Sequence, residues 1–325
     1  MHQHRLLGRL SRASRLAGAL GVTMLKGVVR GTKKPPRIVL YGPPKIGKST
    51  LGSEADKPIF VTTEDGVDNL PVDQFPRADS WETFLANVAQ VANDQHEYKT
   101  LVIDTINGAV ADLAAQSVCA KQFKGDWGPK GFAQFGQGWA ATSEEVKKLL
   151  PLLDACRARG MTVLMLAHTG VTNVKNPVEG DFSKYQPDLD RRVWARFAAW
   201  ADIIIRADFE YSVVEKGGKR VSIGTNTRIL YCTGSQAEDA GCRVGYDLPE
   251  TLPLSWSALS AALGQDNGTA KQIKELWGLM PKDEALKALK FLGLQSIDEI
   301  EKAASQKAKQ ILNRLRVLRK ESEAA

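Results

Sequence analysis

Residues 42–49 read Gly-Pro-Pro-Lys-Ile-Gly-Lys-Ser, the pattern Gly-x-x-x-x-Gly-Lys-Ser/Thr. A loop of this spacing turns its backbone N–H groups inward around an anion, and its glycines permit the close approach. Gly42, Pro43, Pro44, Lys45, Ile46, Gly47, Lys48, Ser49 and the following Thr50 are therefore expected to cradle the phosphates of a nucleotide. Lys48 supplies a point charge toward the β- and γ-phosphates, and the Ser49 hydroxyl takes a Mg²⁺ position. The helix that should follow points its N-terminal dipole at the same anion. Leu101-Val102-Ile103-Asp104 is an apolar run ending in an acid. Asp104 is thus the expected carboxylate on the metal side. Glu64 follows another apolar run and can orient and deprotonate an attacking water. His168 closes a third such run, within reach of a γ-phosphate.

These residues need a scaffold that brings strand ends together. The runs at 37–41, 58–62, 100–104 and 162–167 are short and rich in Val, Ile and Leu, without polar alternation. They read as strands buried on both faces. Amphipathic helical patterns lie between them at 81–92 and 142–159. Alternating strands and helices imply an α/β fold with a mostly parallel central sheet, in which ligands gather at the strands' carboxyl ends. Further strands are expected at 202–206, 211–215, 220–223 and 228–232, with Lys216-Gly217-Gly218-Lys219 as a hairpin turn. The segment 169–190 has no helical or strand period and reads as a long loop.

The 325 residues hold 43% apolar and 25% charged side chains, which excludes a disordered or fibrous chain. Four scattered cysteines, without Cys-x-x-Cys, signal neither a zinc site nor a disulfide scaffold and fit a reducing, cytoplasmic compartment. No apolar run approaches the length of a membrane span. The net charge of +7 is unevenly spread: residues 1–34 carry +8, residues 271–325 carry +4, and the stretch between them is net acidic. The division expected is a basic arm over 1–34, a core over 35–262, a linker over 263–270 and a helical module over 271–325. Residues 1–23 are Arg-rich and acid-free, as a transit peptide would be, or as a miscalled start ahead of Met24 would leave them.

Together, the phosphate loop, "FVTTEDGVDNL" at 60–70 and "LVIDT" at 101–105 resemble the RecA-type branch of P-loop ATPases. Only about ten residues separate Lys48 from Pro58, so the helix between them is short. That form is similar to the phage-encoded core-only RecA-like proteins, including the Sak-type single-strand annealing family. The late segment "RILYCTG…AGCRVGYDLPE" fits them as well. The resemblance implies a RecA-like P-loop NTPase core that uses ATP and Mg²⁺. It implies assembly into a homo-oligomer, as filament or ring, on single-stranded DNA in the bacterial host cytoplasm, with a single-strand DNA-binding protein as a further partner. It also makes Arg243 a candidate finger reaching a neighbouring subunit's nucleotide, although the Lys usually found two positions earlier is missing. The implied role is recombination or annealing. A ring-forming motor, a helicase-loading factor and a low-turnover nucleotide-binding module stay open beside it.

Two segments are the expected DNA contacts. Residues 123–139 interleave aromatics with lysines and glycines, and aromatic faces stack bases while lysines meet phosphates. Lys121, Lys124, Trp127, Lys130 and Phe132 are expected to face DNA; Phe135 and Trp139 are expected in the core or at a subunit interface. In the 169–190 loop, Lys175, Lys184 and Tyr185 are available. The basic last helix of the C-terminal module is equally suited to gripping DNA or a partner protein.

Overall fold

The structure, a computed structural model, describes residues 34–176, 180–216, 219–246 and 248–264. Residues 1–33 of the basic arm expected over 1–34, and the C-terminal module over 271–325, lie outside the described residues, so the expectations placed there are not addressed by it.

The core opens on β1 (Arg37–Gly42), followed by the phosphate loop and α1 (Lys48–Ser53). Then come β2 (Pro58–Thr62), the short β3 (Asp73–Gln74), α2 (Trp81–Asn93) and β4 (Thr100–Asp104). Every residue of β4 is buried, as an unalternated apolar run requires. The α2 helix starts where Ser80 caps it by accepting from the Thr83 N–H at 3.1 Å, and it buries Trp81, Phe84, Val88 and Val91 on one face.

After β4 the chain turns helical at Ile106–Gly108, widens into a π-helical stretch at Ala109–Ala114, and continues as α3 (Ala115–Phe123). α4 (Gln137–Val146) and α5 (Leu149–Ala158) replace the single helix expected over 142–159. The break has a local cause. Pro151 has no N–H to donate back to the Lys147 carbonyl, so the ladder stops and restarts there.

β5 (Thr162–Val174) continues past His168 and pairs antiparallel with β6 (Phe182–Pro187), so the segment read as a long loop is a hairpin. α6 (Arg191–Trp200) leads into β7 (Ile203–Lys216), which pairs with β8 (Lys219–Tyr231). The four short strands expected over 202–232 are thus two long ones, paired antiparallel up to Lys216 and Lys219. β9 (Gly241–Cys242), β10 (Thr251–Pro253) and α7 (Trp256–Ala262) complete the described core.

The sheet order is β10-β8-β7-β1-β5-β4-β2-β3. Strands β7, β1, β5, β4, β2 and β3 run parallel, and β8 and β9 run antiparallel to β7. Apolar clusters cover both faces: α2 and α5 pack on one, α1 and α7 on the other. This is the α/β, mostly parallel architecture read from the sequence. β5 stands between β1 and β4, so the phosphate loop, His168 and Asp104 occupy adjacent strand ends, with Glu64 just beyond β2.

Candidate nucleotide site

The phosphate loop leaves β1 at Gly42, pressed against β7. A methyl group on Gly42 would lie 2.5 Å from the Ala207 carbonyl oxygen, so only glycine fits the strand pairing here. Gly47 holds φ at +113°, which lets the loop turn into α1. Lys48 is buried, and its Nζ donates to the Gly42 and Pro43 carbonyls at 2.9 and 3.0 Å. Burial pulls its pKa below the ordinary lysine value, while Asp104 and Glu64 oppose that shift.

Ser49 Oγ donates to Asp104 Oδ2 at 2.5 Å, joining the head of α1 to the end of β4. Asp104 is 6% exposed, and burial pushes its carboxyl above the ordinary value against the pull of the Ser49 bond. The Asp104–Thr105 peptide is cis.

Glu64 lies in the opposite electrostatic state. Its carboxylate is 41% exposed and sits 3.2 Å from His168 Nε2 through either oxygen. It also accepts from Thr105 Oγ1 at 2.5 Å. The hydrogen bond with His168, joined by that from Thr105 and by the charge of Lys48, outweighs burial and holds its pKa below the ordinary value. Lys48, Ser49, Glu64, Asp104 and His168 are therefore one linked cluster at the carboxyl edge of the sheet.

Two residues that sequence reasoning missed hold this cluster in place. Thr105 caps the helical turn after β4 through Gly108 N–H, and its hydroxyl also reaches Glu64. Asn107 accepts from the His168 backbone N–H at 2.8 Å and donates to the Asp188 carbonyl at 2.5 Å. It thereby ties the carboxyl edge of the sheet to the foot of the β5–β6 hairpin. The signal for Thr105 was available as an N-cap hydroxyl after a strand; nothing local marks Asn107. His168 Nδ1 and Thr169 Oγ1 are buried without a hydrogen-bond partner among the described residues.

The sequence profile of a family described as "AAA domain" matches residues 34–244, which take in strands β1 to β9 and all five clustered residues. The chain belongs to the AAA domain family. Among curated proteins it is similar to the SPbeta prophage-derived uncharacterized protein YorG of Bacillus subtilis (strain 168), 26% identical over 176 residues. That alignment covers 52% of this chain and 49% of YorG, so the chain spans about half the length of the curated relative it matches. Among solved structures it is similar to the flagellar accessory protein FlaH of Methanocaldococcus jannaschii, at 13% identity and TM-score 0.31 over 72% of this chain and 94% of that one. It is also similar to the KaiC-like protein PH0186 of Pyrococcus horikoshii OT3, at 16% identity and TM-score 0.34 over 69% and 87%.

Other sequence-predicted residues of this AAA domain fall into two groups. Lys124, Lys130 and Trp127 are exposed on the turn-rich segment between α3 and α4, and Lys121 is exposed but paired with Glu82. Phe132, expected to face DNA, is buried. It packs among Phe123, Trp127 and Trp139, its ring lying over Gly138 where a methyl would clash at 2.3 Å. Phe135, expected in the core or at an interface, is 97% exposed.

On the hairpin, Lys175 is exposed, but Lys184 is paired with Asp239 and the Tyr185 ring lies against the buried Arg206 guanidinium. Those two side chains are committed to holding the hairpin on the sheet. Arg243 does not join the cluster either. β9 pairs with the start of β7, which puts Arg243 at the amino end of the sheet, where it donates to the Ala199 carbonyl and lies 3.5 Å from Asp202. Within one chain its guanidinium serves the fold.

Proposed function

We propose that this chain is a Mg²⁺-dependent, RecA-like ATPase that assembles as a homo-oligomer on single-stranded DNA and promotes annealing or strand exchange in a phage setting. The observation that carries the ATPase reading is the convergence of Lys48, Ser49, Asp104, Glu64 and His168 at adjacent strand ends.

The donor set suits Mg²⁺. Ser49 and Asp104 offer hard oxygens in contact with each other, and Mg²⁺ prefers one or two such ligands completed by phosphate oxygens and water. Among the described residues, no cluster of three or more His, Cys, Asp or Glu could hold a metal without such help. Bound there, the ion would neutralise charge on the phosphates. The chain's own residues do the rest. Backbone N–H groups of the loop and Lys48 hold the phosphates, and Glu64 takes a proton from the attacking water. His168 and Thr105 fix the orientation of the Glu64 carboxylate and keep it ionised.

The DNA reading is supported by the exposed Lys124, Trp127, Lys130 and Phe135 on one segment, and by Lys175 on the hairpin. The prophage origin of YorG supports the phage setting. A single-strand DNA-binding protein is a further partner on this reading, and the host cytoplasm is the place of action. Among the described residues, no helix is long and apolar enough to cross a membrane.

The test is ATP turnover with and without single-stranded DNA for wild type, Lys48→Ala and Glu64→Gln. Turnover should rise with DNA and fall about 100-fold or more in both variants. Wild type without ATPase under any DNA condition would sink the enzyme reading, and DNA-indifferent turnover would sink the recombination role. Negative-stain images with DNA should show filaments; closed rings would indicate a motor.

A further inference from the structure

One arginine beside the phosphate loop is unaccounted for by the cluster above. β7 runs on past the end of β1: Tyr41 pairs with Arg206, Gly42 abuts Ala207, and the strand continues through Asp208 and Phe209. Directly across from Phe209, on β8, stands Arg228. A methyl group on Gly47 would lie 3.4 Å from Arg228 Nη1 and 3.0 Å from Leu254 Cδ2, so both side chains flank the loop at the glycine before Lys48. The Arg228 guanidinium lies 5.9 Å from the centre of the Phe209 ring, within the range of a cation–π contact. Both side chains are exposed, and Arg228 has no acidic partner among the described residues.

The backbone is shaped at this point. The β7–β8 register shifts between Phe209 and Tyr211, and Asn226 on the opposite strand holds φ at +58°. Thr225 Oγ1 donates to the Glu210 side chain at 3.0 Å and accepts from the Thr227 N–H at 3.3 Å, fixing the bulge. Bulges of this kind re-aim side chains and recur next to active sites. Here one sets an aromatic ring and a guanidinium together at the rim of a phosphate site.

We propose that Phe209 and Arg228 form the platform on which the purine base of the bound nucleotide stacks. This rests on the nucleotide reading above and names the part of that site beyond the phosphates. The chemistry suits a base better than a phosphate. Arg228 presents a planar cation already laid near an aromatic face, and a purine continues that stack through its own π-face. Leu254 supplies an apolar edge beside it. A platform that acts by stacking rewards ring area, so purine nucleotides are held more tightly than pyrimidine ones.

The experiment is isothermal calorimetry on the full chain with ATP, CTP and inorganic tripolyphosphate, which carries the phosphates without a base. Phe209→Ala and Arg228→Ala should each weaken ATP about fivefold or more and leave tripolyphosphate unchanged. Phe209→Tyr should retain ATP affinity. Arg228→Lys, which keeps the charge but loses the plane, should behave like Arg228→Ala. Equal loss of ATP and tripolyphosphate in Arg228→Ala would overturn the proposal, because the arginine would then be a phosphate contact. Unchanged ATP affinity in both alanine variants would overturn it as well. Wild type that binds neither ATP nor tripolyphosphate would overturn the nucleotide reading itself, a result distinct from either.

Discussion

Asp202→Asn probes the clamp that sets the amino end of the phosphate-loop strand. Asp202 is 5% exposed and accepts from the Arg37 backbone N–H at 3.1 Å, from Arg37 Nε at 3.1 Å and from Arg37 Nη2 at 2.8 Å. Arg157 lies 2.9 Å away and Arg243 3.5 Å. The pair therefore ties β1, the end of α5 and the segment after β9 to the start of β7. Burial pushes the Asp202 carboxyl up. The hydrogen bonds from Arg37, with the charges of Arg37 and Arg157, outweigh burial and leave its pKa below the ordinary 3.8. An amide keeps one accepting oxygen but turns an NH₂ toward a guanidinium. Removing one partner of a buried pair costs about 3–5 kcal/mol, and the retained oxygen puts this variant near the lower end. For a domain of this size that is a fall of roughly 6–12 °C in Tm. Because the native pKa lies below the unfolded one, the stabilisation is complete above the ordinary carboxylate range. It is lost as pH falls through the native value, below 3.8. Urea titrations of wild type and variant from pH 7 to pH 3 should show a gap that is wide at neutral pH and narrows at the acid end. A gap of less than about 1 kcal/mol at pH 7, or one that stays constant to pH 3, refutes the reasoning. Nucleotide affinity of the folded variant should be unchanged, since the phosphate loop lies at the other end of β1.

Three further substitutions read the site and the segment next to it. Gly42→Ala places a methyl 2.5 Å from the Ala207 carbonyl, so β1 and β7 must part at the loop; overpacking of this kind costs about 1–3 kcal/mol, and nucleotide affinity measured by calorimetry should fall with stability. Phe132→Ala empties a buried aromatic cluster and should cost about 3–5 kcal/mol in urea. Phe135→Ala should leave stability within about 0.5 kcal/mol and weaken single-stranded DNA binding by fluorescence anisotropy; unchanged DNA affinity would remove Phe135 from that surface.

How far the sequence could be read depended on whether the information was local. The phosphate loop and Asp104 were legible because each is a short pattern attached to an unalternated apolar strand, and such strands have one place to go in a parallel sheet. Glu64 and His168 followed from the rule that ligands gather at the strands' carboxyl ends. The β5–β6 hairpin was not legible, because beyond His168 both of its faces carry polar residues, which removes the alternation that marks a strand. The aromatics at 132 and 135 could not be sorted by type. What places one inside is Gly138 lying under the Phe132 ring, and what turns the other out is a backbone with φ of +47° at Phe135. The place of Arg243 at the amino end of the sheet was not legible, because it depends on β9 pairing antiparallel with the start of β7, a contact that no spacing near Arg243 announces.

The two carboxylates of the site are held in opposite electrostatic states by one cleft. Asp104 is buried with a serine hydroxyl and is pushed toward its neutral form. Its charge is costly unless a cation and the Lys48 ammonium share the site, which is the condition a metal-bound triphosphate creates. Glu64 is half exposed and held ionised by His168 and Thr105, so it remains a base without any ligand's help. Environments that drive two neighbouring acids in opposite directions suit the division proposed above, with Asp104 as the metal-side acid and Glu64 as the water-side base. The same logic explains why the net charge of +7 says little about this centre. The described core lies in the net-acidic middle of the chain, so any grip on DNA must come from individual loops such as the one carrying Lys124, Trp127 and Lys130. Counterion release then predicts a shallow salt dependence for the core, set by those few lysines rather than by the protein's overall charge.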